Sequence, residues 1–239
     1  MIEVTHLSKR FRDIVAVDDV GFTARNGAIT GLLGHNGAGK STTLRILYGL
    51  LKADQGSAMV DGVDVVTDSL KVQASIGVMT DAHGLNPRLT GREHIEYFAR
   101  LRGMEERLIR KRIDGLIETL DMGEIADRRA EGFSQGEKMK VCLSRSLVHD
   151  PRNLIMDEPT NGLDVMTTRS VRTILQKLKQ KNKCILLSSH IMQEISALCD
   201  EIIVIAEGRV LMQGSLEELA RLTGESDLEE AFMKITRQA

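Results

Sequence analysis

At 239 residues and 42% hydrophobic content, the chain is long enough to bury the core of one α/β domain with a smaller lobe. Its 32 basic and 34 acidic residues leave a net charge of −2, so no general footprint for nucleic acid or anionic lipid is present, and 3% aromatic content without Trp argues against a base-stacking surface. No apolar run approaches the roughly 18 residues that a membrane-spanning helix takes, and Met1-Ile2-Glu3 begins no signal peptide, so a cytosolic chain is expected.

Strands are predicted near residues 2–7, 15–24 and 28–33, the last a short apolar run suited to burial. It feeds Gly34-His35-Asn36-Gly37-Ala38-Gly39-Lys40-Ser41, a full G-x-x-x-x-G-K-S phosphate loop, and residues 41–48 can form a helix whose N-terminus faces the anion. In such a loop the glycines let successive N–H groups, including that of Thr42, turn toward phosphate. Lys40 can reach the β- and γ-phosphates, and the Ser41 hydroxyl can ligate magnesium. A nucleoside triphosphate is the expected ligand.

Short strands follow near 57–60 and 75–80, with Asp61-Gly62 as the turn between them. Residues from about 85 to 148 are predicted mostly helical. Thr90-Gly91-Arg92-Glu93 is a capping box, and Leu108, Ile109, Ile113, Leu116, Ile117 and Leu120 mark an amphipathic stripe. The basic residues from Arg100 to Arg112 lie amid Glu105 and Glu106 and read as a solvated helix face. Phe133-Ser134-Gln135-Gly136-Glu137 opens another helix, with Ser134 able to cap it. Residues 153–158 are an apolar strand ending in two carboxylates, stopped by Pro159. Asp157 is placed to hold the magnesium shell and Glu158 to polarise the attacking water.

Val171, Ile174, Leu175 and Leu178 give a further helical stripe, followed by a strand at 184–188, a helix to Cys199 and a hairpin turning at Glu207-Gly208. Ser215 and the pair Ser226-Asp227 cap two terminal helices. Alternating strands and helices argue for a mainly parallel sheet. Cys142, Cys184 and Cys199 lack metal-ligand spacing and read as small buried hydrophobes.

With these motifs in this order, the chain resembles the nucleotide-binding subunit of ABC transporters nearly end to end. The signature of that family precedes the carboxylate strand, as Ser134 to Glu137 do here. Thr160-Asn161-Gly162-Leu163-Asp164 looks like its D-loop, and Ser188-Ser189-His190 like its switch histidine. The resemblance implies an α/β phosphate-loop NTPase cassette, one domain over 1–239, with a mainly parallel core sheet, an N-terminal antiparallel β subdomain and a helical lobe inserted at about 85–148. It implies ATP and Mg2+ as cofactors, and His190 beside the γ-phosphate. Phe11 would stack on adenine with Val17 beside it, although a Phe ending a strand is also a common core position.

It further implies a separate membrane permease and a second copy of the chain, two ATPs being sandwiched head to tail. The signature Ser134, Gln135, Gly136 and Glu137 of one copy would then complete the site of the other, and Asp164 of the D-loop is a further nucleotide-binding residue that the resemblance implies. Two departures stand out: Gln135 and Glu137 replace the usual Gly and Gln, and Asp81 replaces the Gln that ends the 75–80 strand, adding a charge to a position that could still offer magnesium an oxygen. The runs 81–90, 163–166 and 190–194 look most like bacterial sodium-efflux subunits. Export of a drug, a cassette acting on ribosomes or DNA, and a nucleotide sensor without turnover are the alternatives.

Overall fold

The computed structural model describes residues 1–80 and 84–237. Strands β1 (Ile2–Phe11) and β2 (Ile14–Ala24) pair antiparallel and turn through Arg12, whose φ is +52°. β3 (Ile29–Leu33), buried at every position, crosses into a second sheet and runs through the phosphate loop into α1 (Lys40–Leu47). β4 (Gln55–Val60) returns to pair antiparallel with β1. Asp61 and Gly62, at φ +51° and +77°, then turn it into the short β5 (Val63–Asp64). Two successive positive φ values match the twist of a tight hairpin.

The predicted turn is therefore present, but it does not lead to the strand expected at 75–80. Helix α2 (Ser69–Ser75) intervenes, and β6 (Ile76–Met79) belongs to the other sheet. Periodicity could not reveal α2, because it buries Val72 and leaves Leu70 79% exposed.

Helices α3 (Gly91–Leu101), α4 (Glu106–Thr119) and α5 (Gln135–Leu147) pack on one another within the span expected to be helical. The Thr90 capping box forms in both directions. Of the predicted α4 stripe, Ile109 and Ile113 are buried, whereas Leu108 faces solvent. β7 (Asn153–Asp157), α6 (Val165–Gln180), β8 (Cys184–Ser189), α7 (Met192–Leu198), β9 (Glu201–Ala206) and β10 (Arg209–Gly214) complete the second sheet and its cover. α8 (Leu216–Thr223) and α9 (Leu228–Arg237) end the described chain. At the start of α9 the capping oxygen is that of Asp227, which accepts from the N–H of Glu229 and Glu230, not that of Ser226.

The six-stranded sheet runs β10-β9-β3-β8-β7-β6 and is parallel except where β9 and β10 turn back at Glu207-Gly208. Both faces are covered, as a parallel sheet requires. Leu154 and Met156 of β7 join the core on the side of the α3–α5 helices, and Ile155 joins the core beneath the antiparallel sheet. β3 and β7 each pair parallel with β8, so all three end at one edge, where ligands of such sheets bind. Burial pushes the thiols of Cys142 and Cys184 up to about 11 and that of Cys199 up to about 12; by residue, Cys199 is only partly buried.

Candidate nucleotide-binding site

The loop after β3 curls because glycine is obligatory at two points. A Cβ on Gly34 would lie 2.4 Å from the Ile205 carbonyl oxygen. One on Gly39, which sits at φ +104°, would lie 2.5 Å from that of Ala16. Gly39 is the N-cap of α1 and brings no side chain to it, leaving the first-turn N–H groups to an incoming anion. Lys40 is 5% exposed, and its Nζ donates to the carbonyls of Gly34 (2.7 Å) and His35 (3.2 Å). Its ammonium is thus held inside the loop by two backbone carbonyls.

At the end of β7, Asp157 accepts hydrogen bonds from Ser41 Oγ (3.2 Å) and Ser188 Oγ (2.6 Å). Glu158 follows at φ +49°, a conformation that costs a non-glycine residue on the order of 1 kcal/mol or more. Its N–H donates to Ser188 Oγ (2.9 Å), and its carboxylate lies 3.4 Å from Lys40 Nζ and 2.9 Å from His190 Nδ1. Such local strain persists because these three neighbours over-determine the position.

These groups open on a cleft of about 690 Å³ lined by His35, Asn36, Gly37, Gly39, Lys40, Ser41, Thr42, Asp157, Glu158 and His190, all expected from the sequence. It is also lined by residues the sequence reading missed, notably Ala16, Arg45, Tyr48, Thr80 and Asn161. Arg45 and Tyr48 lie one and two helical turns beyond Ser41, so their place on the same face of α1 was available from spacing alone. Burial pushes the Tyr48 phenol up, with Arg45 opposing and the Asp157 charge assisting. Gly34 and Ala38 shape the loop from behind the lining.

Other expected site residues stand elsewhere. Val17 is wholly buried in the core under the antiparallel sheet, and Ala16 faces the cleft instead, because adjacent strand residues point to opposite faces. Phe11 is 42% exposed at the end of β1, outside the lining residues, with Lys9 Nζ 5.5 Å from its ring centroid; it is not a core residue. Asp81 lies outside the described residues.

Ser134, Gln135, Gly136 and Glu137 do not line the cleft of their own chain. They form the start of α5, where Ser134 Oγ accepts from Glu137 N and the Glu137 carboxylate accepts from Ser134 N (2.7 Å) and Arg128 Nη2 (2.9 Å). The Glu that departs from the usual signature thus closes a capping box. Asp164 is likewise engaged as the N-cap of α6, accepting from Thr167 N (2.9 Å) and Oγ1 (2.7 Å). A second cavity of about 610 Å³ lies between these segments, lined in part by Gln135, Lys138, Asn161 and Gly162.

The donor set suits Mg2+. Ser41 and Asp157 bring a hydroxyl and a carboxylate together, and hard oxygen ligands in small number are what a cation shared with phosphates and water takes. Among the described residues no group of three His, Cys, Asp or Glu is arranged to hold a metal by itself.

Residues 17–161 match the family described as ABC transporter. The chain is 42% identical to the ABC transporter ATP-binding protein NatA of Bacillus subtilis (strain 168), over 98% of its own length and 97% of the relative. It is 37% identical to the Nod factor export ATP-binding protein I of Ralstonia nicotianae, over 92% of its length and 68% of that protein. A solved structure of an ATP-binding subunit of an ABC transporter superposes with a TM-score of 0.90 at 28% identity, each chain covered to 99%.

Proposed function

The chain belongs to the ABC transporter ATP-binding family, and from that premise we propose that it drives transport through a separate membrane permease by hydrolysing ATP in the cleft at the ends of β3 and β7. The observation that carries this reading is the Glu158 carboxylate, held between Lys40 and His190 at the cleft wall. The reaction is phosphoryl transfer to water. The loop N–H groups and Lys40 hold the β- and γ-phosphates. Glu158 orients a water and takes its proton as the water oxygen bonds to γ-phosphorus; the bond from γ-phosphorus to the β,γ-bridging oxygen breaks, leaving ADP and phosphate. His190 anchors the Glu158 carboxylate and faces the γ-phosphate. Ser41 and Asp157 would hold Mg2+, which supplies charge neutralisation to the phosphates when bound.

The separation of the two proposed halves of the site within one chain supports two copies acting head to tail. The 134–137 segment is absent from the lining of the first cleft, and Gln135 and Lys138 line the second cavity; the N-terminus of α5, with Ser134 and Gly136, would complete the γ-phosphate site of a partner copy. Phe11 is offered to adenine from the end of β1, where its ring is accessible. No helix among the described residues is long and apolar enough to cross a membrane, which supports a subunit peripheral to the inner membrane face. The Ralstonia relative is an export protein, and the runs 81–90, 163–166 and 190–194 resemble sodium-efflux subunits, so export of sodium or another small cargo is the direction proposed.

The test is to trap tagged Glu158→Gln protein with ATP in its own host, solubilise the membranes and identify what co-purifies. A polytopic membrane protein is the expected partner; recovery of ribosomes or DNA-associated proteins alone would overturn the transport reading.

A further inference from the structure

The side chain of His35 has a neighbour that no nucleotide-binding motif supplies. The ring of Phe232, on α9, meets the His35 imidazole edge to face, with centroids 4.9 Å apart and planes inclined at 61°. Phe232 is 8% exposed and the adjacent Ala231 is fully buried, so this end of α9 is anchored in the large core. The same helix reaches the segment that follows His190: Glu229 accepts a hydrogen bond from Gln193 Nε2 of α7. One terminal helix therefore touches both the loop expected to hold phosphate and the helix next to the switch histidine.

His35 also occupies a pivotal place in the loop. Its carbonyl accepts from Ala38 N (3.1 Å) and from Lys40 Nζ (3.2 Å), whereas Gly37, two residues on, has open space where a Cβ would stand. The base of the loop is packed, with Ala38 5% exposed and its carbonyl accepting from Gly208 N (3.0 Å), whereas the tip at Gly37 is open. The Phe232 ring is the contact that fixes His35 from outside, and a shift of His35 would move one of the carbonyls that position Lys40.

We propose that Phe232 is a positioning residue for nucleotide binding: acting through His35, it holds the phosphate loop in its receptive form and ties that form to the packing of α9. The physical basis is preorganisation, since a loop already ordered in the free protein loses less freedom when ATP binds. The inference rests on the reading of the cleft as the phosphate site.

The test is a double-mutant cycle in the full chain, measuring the Kd for MgATP by calorimetry together with KM and kcat. Phe232→Leu keeps an apolar side chain under α9 but removes the ring; Phe232→Met serves the same purpose if the leucine variant is unfolded by its melting curve. The expected result is a Kd raised about three- to tenfold in the otherwise native chain, the scale of one aromatic pair, with the loss in KM and not in kcat. In a His35→Ala background the same substitution should have no further effect, because its route is gone. The His35 ring proton signals should also lose their ring-current shift in Phe232→Leu. An equal penalty in both backgrounds, or none in either, would overturn the inference while leaving the nucleotide reading intact. A wild-type chain that does not bind MgATP would overturn both.

Discussion

Lys40, Glu158 and His190 form a line of charge and hydrogen bonding in which each group limits where the next can stand. Lys40→Ala removes the ammonium that the loop carbonyls hold ready for phosphate. MgATP should bind about tenfold to hundredfold more weakly, the scale of a charge-assisted hydrogen bond, as read by calorimetry. A residue away from the cleft sets a pH dependence. Burial, with the nearby cations Arg102, Lys183 and Arg112, pushes the His149 imidazole down to about 4 from an ordinary 6.5. Its Nε2 meets the Ile76 carbonyl at 2.9 Å, and its Nδ1 has no hydrogen-bond partner among the described residues. The unfolded chain therefore takes up this proton first. The stability that His149 contributes is complete above pH 6.5 and is lost as pH falls from 6.5 toward 4. His149→Gln, which keeps a donor for Ile76, should show a shallower fall in melting temperature across that window. The loop and carboxylate residues that line the cleft were legible in the sequence because their spacing is a backbone requirement. The contacts Ser188–Asp157 and Phe232–His35 were not, since only the register of β7 on β8 and the docking of α9 bring them together.

At the scale of elements, legibility followed how much apolar surface each one buries. β3 and β7 are buried throughout and read plainly as strands, and the Thr90 and Ser215 capping boxes marked true helix starts. α2 and β5, which bury little, left no pattern to find. The packing of β6 on α5 was equally hidden. A Cβ on Gly77 would stand 2.2 Å from the Ser146 carbonyl oxygen and 2.9 Å from Pro151 Cγ, so only glycine lets that strand approach the end of α5. Gly77→Ala should destabilise the fold by about 1–3 kcal/mol, the usual cost of overpacking, measured as a shift in the denaturation midpoint with unchanged slope. A neutral result would mean that β6 and α5 are not pressed together as described.

At the scale of the molecule, the parallel sheet delivers the loop after β3, Asp157, Glu158 and His190 to one edge, while α5 presents Gln135 and Lys138 at a separate cavity. On the proposed reading, a chain so arranged holds one set of hydrolytic groups and offers another to a partner copy. The measurement that bears most directly on this account is MgATP binding and phosphate release by purified Glu158→Gln beside the native chain, with molecular mass followed by light scattering. The account predicts that the variant binds MgATP as tightly as the native chain, releases no phosphate over many native turnovers, and doubles in mass when ATP is present. Phosphate release at the native rate would remove Glu158 from the chemistry, and tight binding without any change in mass would contradict the paired site.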